Sequence, residues 1–139
     1  NAKLLLNGGS QNTLKLARRF NNKTRMNMGD CFLSYRQTYF ANGAVTDNSE
    51  DNRNCGESLE ATYKFAKDKK GNYYIKLSGN SVQRLLRVNT NYKLFKILYL
   101  DSSEMILQYD HEQFSDKSTL ITDIYVEQGV VVKDRAFHW

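Results

Sequence analysis

The chain has 139 residues, a formal net charge of +5, 40% hydrophobic and 25% charged residues, nine Tyr, seven Phe and no proline. That length fits one domain, residues 1–139, with a real hydrophobic core and no room for a second. The apolar content argues against disorder, no apolar run is long enough for a membrane-spanning helix, and abundant aromatics with asparagine-rich connections point to an all-β class.

In chain order, Leu4-Leu5-Leu6 before Asn7-Gly8-Gly9-Ser10 predicts one short helical turn ended by Asn and Gly. Thr13 to Phe20 reads as the first strand. The polar stretch from Asn21 to Asp30 contains Asn22-Lys23-Thr24, a sequon frequent by chance and assigned no function. Phe32–Phe40 and Ala44–Thr46 then read as a hairpin, because Asn42-Gly43 is a strong turn signal between strand-type residues. In the loop that follows, Asp47, Ser49 and Asp51 alternate like the opening of a calcium loop. Asn52 stands where such a loop needs glycine and Ser58 where it needs glutamate, so a solvated loop is expected.

Leu59, Ala61, Tyr63 and Phe65 alternate with Glu60, Thr62 and Lys64 as a half-buried strand, and after a turn at residues 67–72 so do Tyr73, Ile75 and Leu77 with Tyr74, Lys76 and Ser78. Gly79-Asn80 turns the chain into a strand over Val82–Val88. The most apolar stretch follows, Tyr92–Tyr109, two strands joined by a turn at Asp101-Ser102-Ser103. Phe95, Ile97 and Tyr99 share one face of its first strand and Leu94, Leu98 and Leu100 the other, so both faces require cover; the leucine-rich N-terminus could cover the outer face or plug a barrel end. Met105, Leu107 and Tyr109 face inward from its second strand. After the connection His111–Lys117, residues 120–127 alternate again, and Gln128-Gly129 turns into Val130–Val132 before the terminal Trp139. The count is nine or ten strands at roughly 8–12-residue spacing, an antiparallel meander closing into a barrel or sandwich.

Cys31 and Cys55 flank the first hairpin and could meet across its open end; otherwise they are two reduced, unrelated thiols. The bridge is the expectation adopted. No secretory signal is visible at Asn1, as for a mature or trimmed product.

Taken together, the leucine-rich N-terminal turn, Gly8-Gly9-Ser10 before the first strand, the cysteine pair around the Asn42-Gly43 hairpin and the hairpin Tyr92–Tyr109 resemble the lipocalin-like domains of Bacteroidota envelope proteins. In those domains the first strand reads like K-T-W-K-L; here it is Asn12-Thr13-Leu14-Lys15-Leu16, with Leu14 in place of the Trp that closes one barrel end. The resemblance implies an antiparallel lipocalin-like barrel of eight or more strands, export to the periplasm, outer membrane or cell surface, and a binding rather than catalytic role.

Nothing in the residues argues for chemistry. Hydrolase, zinc-protease, P-loop and Rossmann signatures are missing, and His111 and His138 read as independent surface residues, so no catalytic residue, metal or cofactor is expected. Alternation places Tyr63, Phe65, Tyr73, Phe95, Ile97 and Met105 inside the barrel, along with Tyr35, Tyr39, Ile75 and Leu107; they either fill the core or line a pocket for a small hydrophobic ligand. Charge is distributed in blocks, with six basic and no acidic side chains in residues 1–29 and nine basic against Asp68 alone in residues 64–96, while the segments after each are acidic. Lys64, Lys76, Arg84, Arg87, Lys93 and Lys96 therefore form a candidate basic surface for phosphate or acidic sugar, with a solvated face as the plainer reading. Nucleic acid is not expected, since the aromatics are committed inward.

Two functions follow as expectations. One is an exported module that acts by contact with a protein partner in the cell envelope or with a surface glycan or lipid. The other is a carrier of a small apolar or amphipathic ligand.

Overall fold

The computed structural model describes residues 2–86, 88–112 and 118–138. Its order is α1 (Ala2–Asn7), β1 (Gln11–Asn21), β2 (Thr24–Arg25), α2 (Asp30–Ser34), β3 (Arg36–Phe40), β4 (Ala44–Asp47), a 3-10 turn (Ser49–Asp51), β5 (Glu60–Lys67), β6 (Tyr73–Ser78), α3 (Asn80–Leu85), β7 (Tyr92–Leu100), β8 (Glu104–Glu112) and β9 (Ser118–Glu127). Every strand pairs antiparallel with its neighbours, and β9 returns to β1 over Leu14–Asn21, so eight strands close into a barrel with β2 as an extra strand on the end of β1. Closure leaves the eight without a free edge.

The two ends of the barrel differ. At one, the turns after β3, β5 and β7 are short, and α1 lies across the opening with Leu6 and Asn7 buried. Gly8 and Gly9 have φ of 66° and 90°, a backbone region that side chains with a Cβ disfavour; they stop the helix and turn the chain into β1. Asn12 Nδ2 donates to Leu6 O at 3.0 Å and Asn7 Nδ2 to the Tyr63 hydroxyl at 3.2 Å, which fastens this plug. Leu6 and Leu14 are both buried in the core. Plugging the end is thus the role α1 takes, and the outer Leu94 and Leu98 stay 43% and 47% exposed.

At the other end the connections are long and hold α2, the 3-10 turn and α3. Both helices correct a strand expectation. Residues 30–34 are helical, so the hairpin's first strand starts at Arg36. The segment expected as Val82–Val88 is helical over Asn80–Leu85, where Val82 and Leu85 are one turn apart and Val82 is fully buried. The strand expected at Val130–Val132 is also absent: Val131 is exposed, and the tail instead crosses the outside of the barrel, with Met28 N donating to Phe137 O and Arg135 Nε to Leu16 O. Arg87, residues 113–117 and Trp139 lie outside the described residues. Among the described residues no helix is long and apolar enough to cross a membrane.

Two bulges decide which side chains face inward. The register of β7 on β8 shifts between Ile97 and Tyr99, one extra residue that reverses the faces beyond it. Tyr99, expected inside, is 46% exposed, and Leu100, expected outside, packs on the core. The same event in β1, between Leu16 and Arg18, has the larger consequence.

Candidate functional site

Leu14 and Leu16 point into the barrel; unbroken alternation would bring Arg18 in next. The bulge turns Arg19 inward instead, directly opposite Asp123 of β9. Arg19 Nε donates to Asp123 Oδ1 at 2.6 Å and Nη2 to Oδ2 at 2.8 Å, a two-pronged pair. The Tyr109 hydroxyl donates to Asp123 Oδ2 at 2.9 Å and accepts from Arg19 Nη2 at 3.2 Å. Burial opposes the guanidinium charge, but the Asp123 carboxylate more than offsets it and holds the Arg19 pKa above its ordinary value. Burial first and Asp123 second push the Tyr109 and Tyr125 phenols up, so both stay neutral. Phe32 of α2 covers the pair from outside, its ring centroid 4.8 Å from the Arg19 guanidinium carbon.

A second polar chain runs along β3. The Tyr39 hydroxyl donates to Gln37 Oε1 at 2.6 Å, Gln37 Nε2 donates to the Tyr35 hydroxyl at 3.2 Å, and that hydroxyl donates to Asp47 Oδ2 at 3.2 Å. The apolar part of the same lining is Leu59, Leu77, Leu85, Leu86, Phe95 and Leu107, with Leu107 directly opposite Asp123 across the β8–β9 pair and the Phe95 ring 4.9 Å from that of Tyr109. Together these residues line a cavity of about 510 Å³, at the end of the barrel opposite α1. Binding pockets for small organic molecules run from about 300 to 1,000 Å³. A lining that mixes hydroxyls, an amide and an ion pair with leucines suits a compact amphipathic molecule.

The mouth is framed by α2, the loop after the 3-10 turn and α3. Cys31 and Cys55 are disulfide-bonded with Cα atoms 5.5 Å apart, and both line the opening. The bridge ties α2 to the loop, Arg84 pairs with Glu57, and Ser81 Oγ donates to Glu60 O at 2.7 Å, anchoring α3 to β5.

Of the six side chains expected to line a pocket, only Phe95 does. Tyr63 and Met105 are buried elsewhere in the core, the Tyr63 hydroxyl donating to Phe40 O at 2.6 Å near the plug. Phe65 and Ile97 are half-buried and pack on that core. Tyr73 is a correction: it is 55% exposed beneath Lys67, because it starts its strand beyond the closed end, where the inward direction meets solvent. Alternation reports the face of a strand but not the height along the barrel axis.

The basic surface is also divided. Lys64 lies opposite Lys76, and Lys76 opposite the outward Leu94, while Lys96 sits farther along β7 opposite Tyr74. Arg84 belongs to α3 and is paired with Glu57. Lys93 is a correction, since it shares the inward face of β7 with Phe95 and lies opposite the cavity-lining Leu77. Its Nζ is 4.6 Å from the Tyr109 ring centroid and 5.5 Å from that of Phe95. Burial lowers its pKa, Asp123 acting in the opposite direction.

Sequence did not single out Arg19, Asp123 or Gln37, and it named Tyr109 and Asp47 without placing either at a site. The available signal was Asp123 between Ile121 and Tyr125, but the other face of β9, Leu120, Thr122, Ile124 and Val126, looks equally apolar. Among the described residues no group of His, Cys, Asp and Glu could hold a metal ion. In comparisons with known proteins, no family model, curated protein or solved structure significantly matches this chain.

Proposed function

We propose that this protein is a non-catalytic, exported, lipocalin-like carrier that holds one small amphipathic molecule in its barrel. The observation that supports this most is the cavity of about 510 Å³, whose lining combines the Arg19–Asp123–Tyr109 cluster with Leu59, Leu77, Leu86 and Phe95. The Cys31–Cys55 bridge at an exposed rim favours an oxidising compartment, hence export. The test is fluorescence titration with the neutral probe N-phenyl-1-naphthylamine, alongside native mass spectrometry. Saturable binding of one probe per chain is expected, and Leu85→Trp, which fills the mouth from α3, should abolish it without lowering the melting temperature. A chain that binds no probe, or a Leu85→Trp variant that binds as well as the parent, overturns the reading.

A second reading is favoured by the outer face of β7, where Leu94, Leu98 and Tyr99 remain exposed. Such a row suits contact with an envelope protein or surface component. Copurification from native cells in mild detergent should then retain a partner that the Leu94→Asp/Leu98→Asp variant loses. A protein recovered alone and monomeric overturns it.

A further inference from the structure

We infer that the ligand carries an anionic group, and that Lys93 is the residue that selects for it. This rests on the carrier reading and adds the ligand's charge class and a specificity residue.

Charges near the cavity are unevenly satisfied. Arg19 and Asp123 neutralise each other through two hydrogen bonds. Asp47, across the cavity, accepts the Tyr35 hydroxyl and the Ser49 N–H. Glu57 at the rim is engaged by Arg84. Lys93 is different: it is not itself in the lining, but among the described residues it forms no ion pair, and its ammonium rests on the rings of Tyr109 and Phe95, which both line the cavity. An ammonium over aromatic rings is held by a modest attraction, weaker than a partly desolvated ion pair. A lysine stem has four rotatable bonds, so the charge can leave the rings for an anion without moving the backbone. An anionic group drawn to Lys93 would bring the rest of the molecule against the neighbouring Leu77 and Phe95, which line the cavity.

The experiment compares two probes with the same aromatic body: 8-anilinonaphthalene-1-sulfonate, which is anionic, and neutral N-phenyl-1-naphthylamine, which lacks the sulfonate. Each is titrated into the parent chain, Lys93→Met and Lys76→Met. The last removes an outward lysine that also sits over a ring, Tyr92, at 4.5 Å. Lys93→Met should weaken the sulfonate probe about tenfold, the scale of one charge-assisted contact, and leave the neutral probe unchanged. Lys76→Met should change neither. Equal loss of both probes in Lys93→Met, no loss of the sulfonate probe, or its loss in Lys76→Met overturns the assignment of Lys93. Neutral-probe binding in the parent chain keeps the carrier reading in each of those cases. If neither probe binds the parent chain, the carrier reading falls and this inference with it.

Discussion

Arg19 and Asp123 face each other from β1 and β9 across the seam that closes the barrel, joined by N–H···O contacts of 2.6 and 2.8 Å, with the Asp123 side chain 1% exposed. Removing one partner of such a pair strands a buried charge, whereas removing both does not. Arg19→Met is expected to cost about 3–5 kcal/mol, and Arg19→Met combined with Asp123→Leu to recover most of it. Urea unfolding of the single and double variants measures this, and additive losses would show that the two residues act independently.

Tyr63 joins the plug to the barrel. Its hydroxyl donates to Phe40 O at 2.6 Å and accepts from the buried Asn7 at 3.2 Å. Tyr63→Phe keeps the ring and leaves both groups one partner short, for a loss of about 1–3 kcal/mol. Because Tyr63 does not line the cavity, neutral-probe affinity should not change; thermal melts and one titration check both parts.

The Cys31–Cys55 bridge closes a loop with a sequence separation of 24. On the chain-entropy model, Cys31→Ser with Cys55→Ser should lose about 3 kcal/mol. Since the bridge frames the mouth and holds Phe32 near Arg19, probe dissociation should also be faster. Denaturation with and without reductant, together with stopped-flow release, tests the two effects separately.

Asp101 organises the β7–β8 turn. It accepts from the Tyr99 hydroxyl, from the Ser103 and Glu104 N–H groups at 2.8 Å each, and from Ser103 Oγ at 3.2 Å. These bonds, Tyr99 first, lower its pKa from 3.8 to about 2. A folded-state pKa below the unfolded one means the contribution is complete above about 3.8 and disappears as pH falls through about 2. Asp101→Asn should therefore be less stable than the parent chain near neutral pH, and the gap should close as pH falls through about 2. Melting temperatures across that range measure the gap, and a constant gap would contradict the carboxylate's role.

Much of the fold was legible in the sequence because local rules agreed there. Period-two alternation located β5, β6, β8 and β9, Asn42-Gly43 and Asp101-Ser102-Ser103 marked the β3–β4 and β7–β8 hairpins, and leucines before two glycines marked α1. The cysteine spacing left bridge or free thiols open; their meeting is a fact of the fold. The helices α2 and α3 were misread because each has six residues or fewer, too short for a helical period to stand out from a strand. The site was hidden for a different reason. A bulge depends on how one strand registers against its partner, so only the paired sheet could turn Arg19 toward Asp123 and Leu100 inward. The cavity was hidden likewise, since its lining is assembled from strands and helices far apart in the chain. A strand's own residues mark its alternating faces until a bulge reverses them; closure determines which groups meet across the interior, and in this protein that places Lys93 against the cavity-lining Tyr109 and Phe95 and Tyr63 in the packed core.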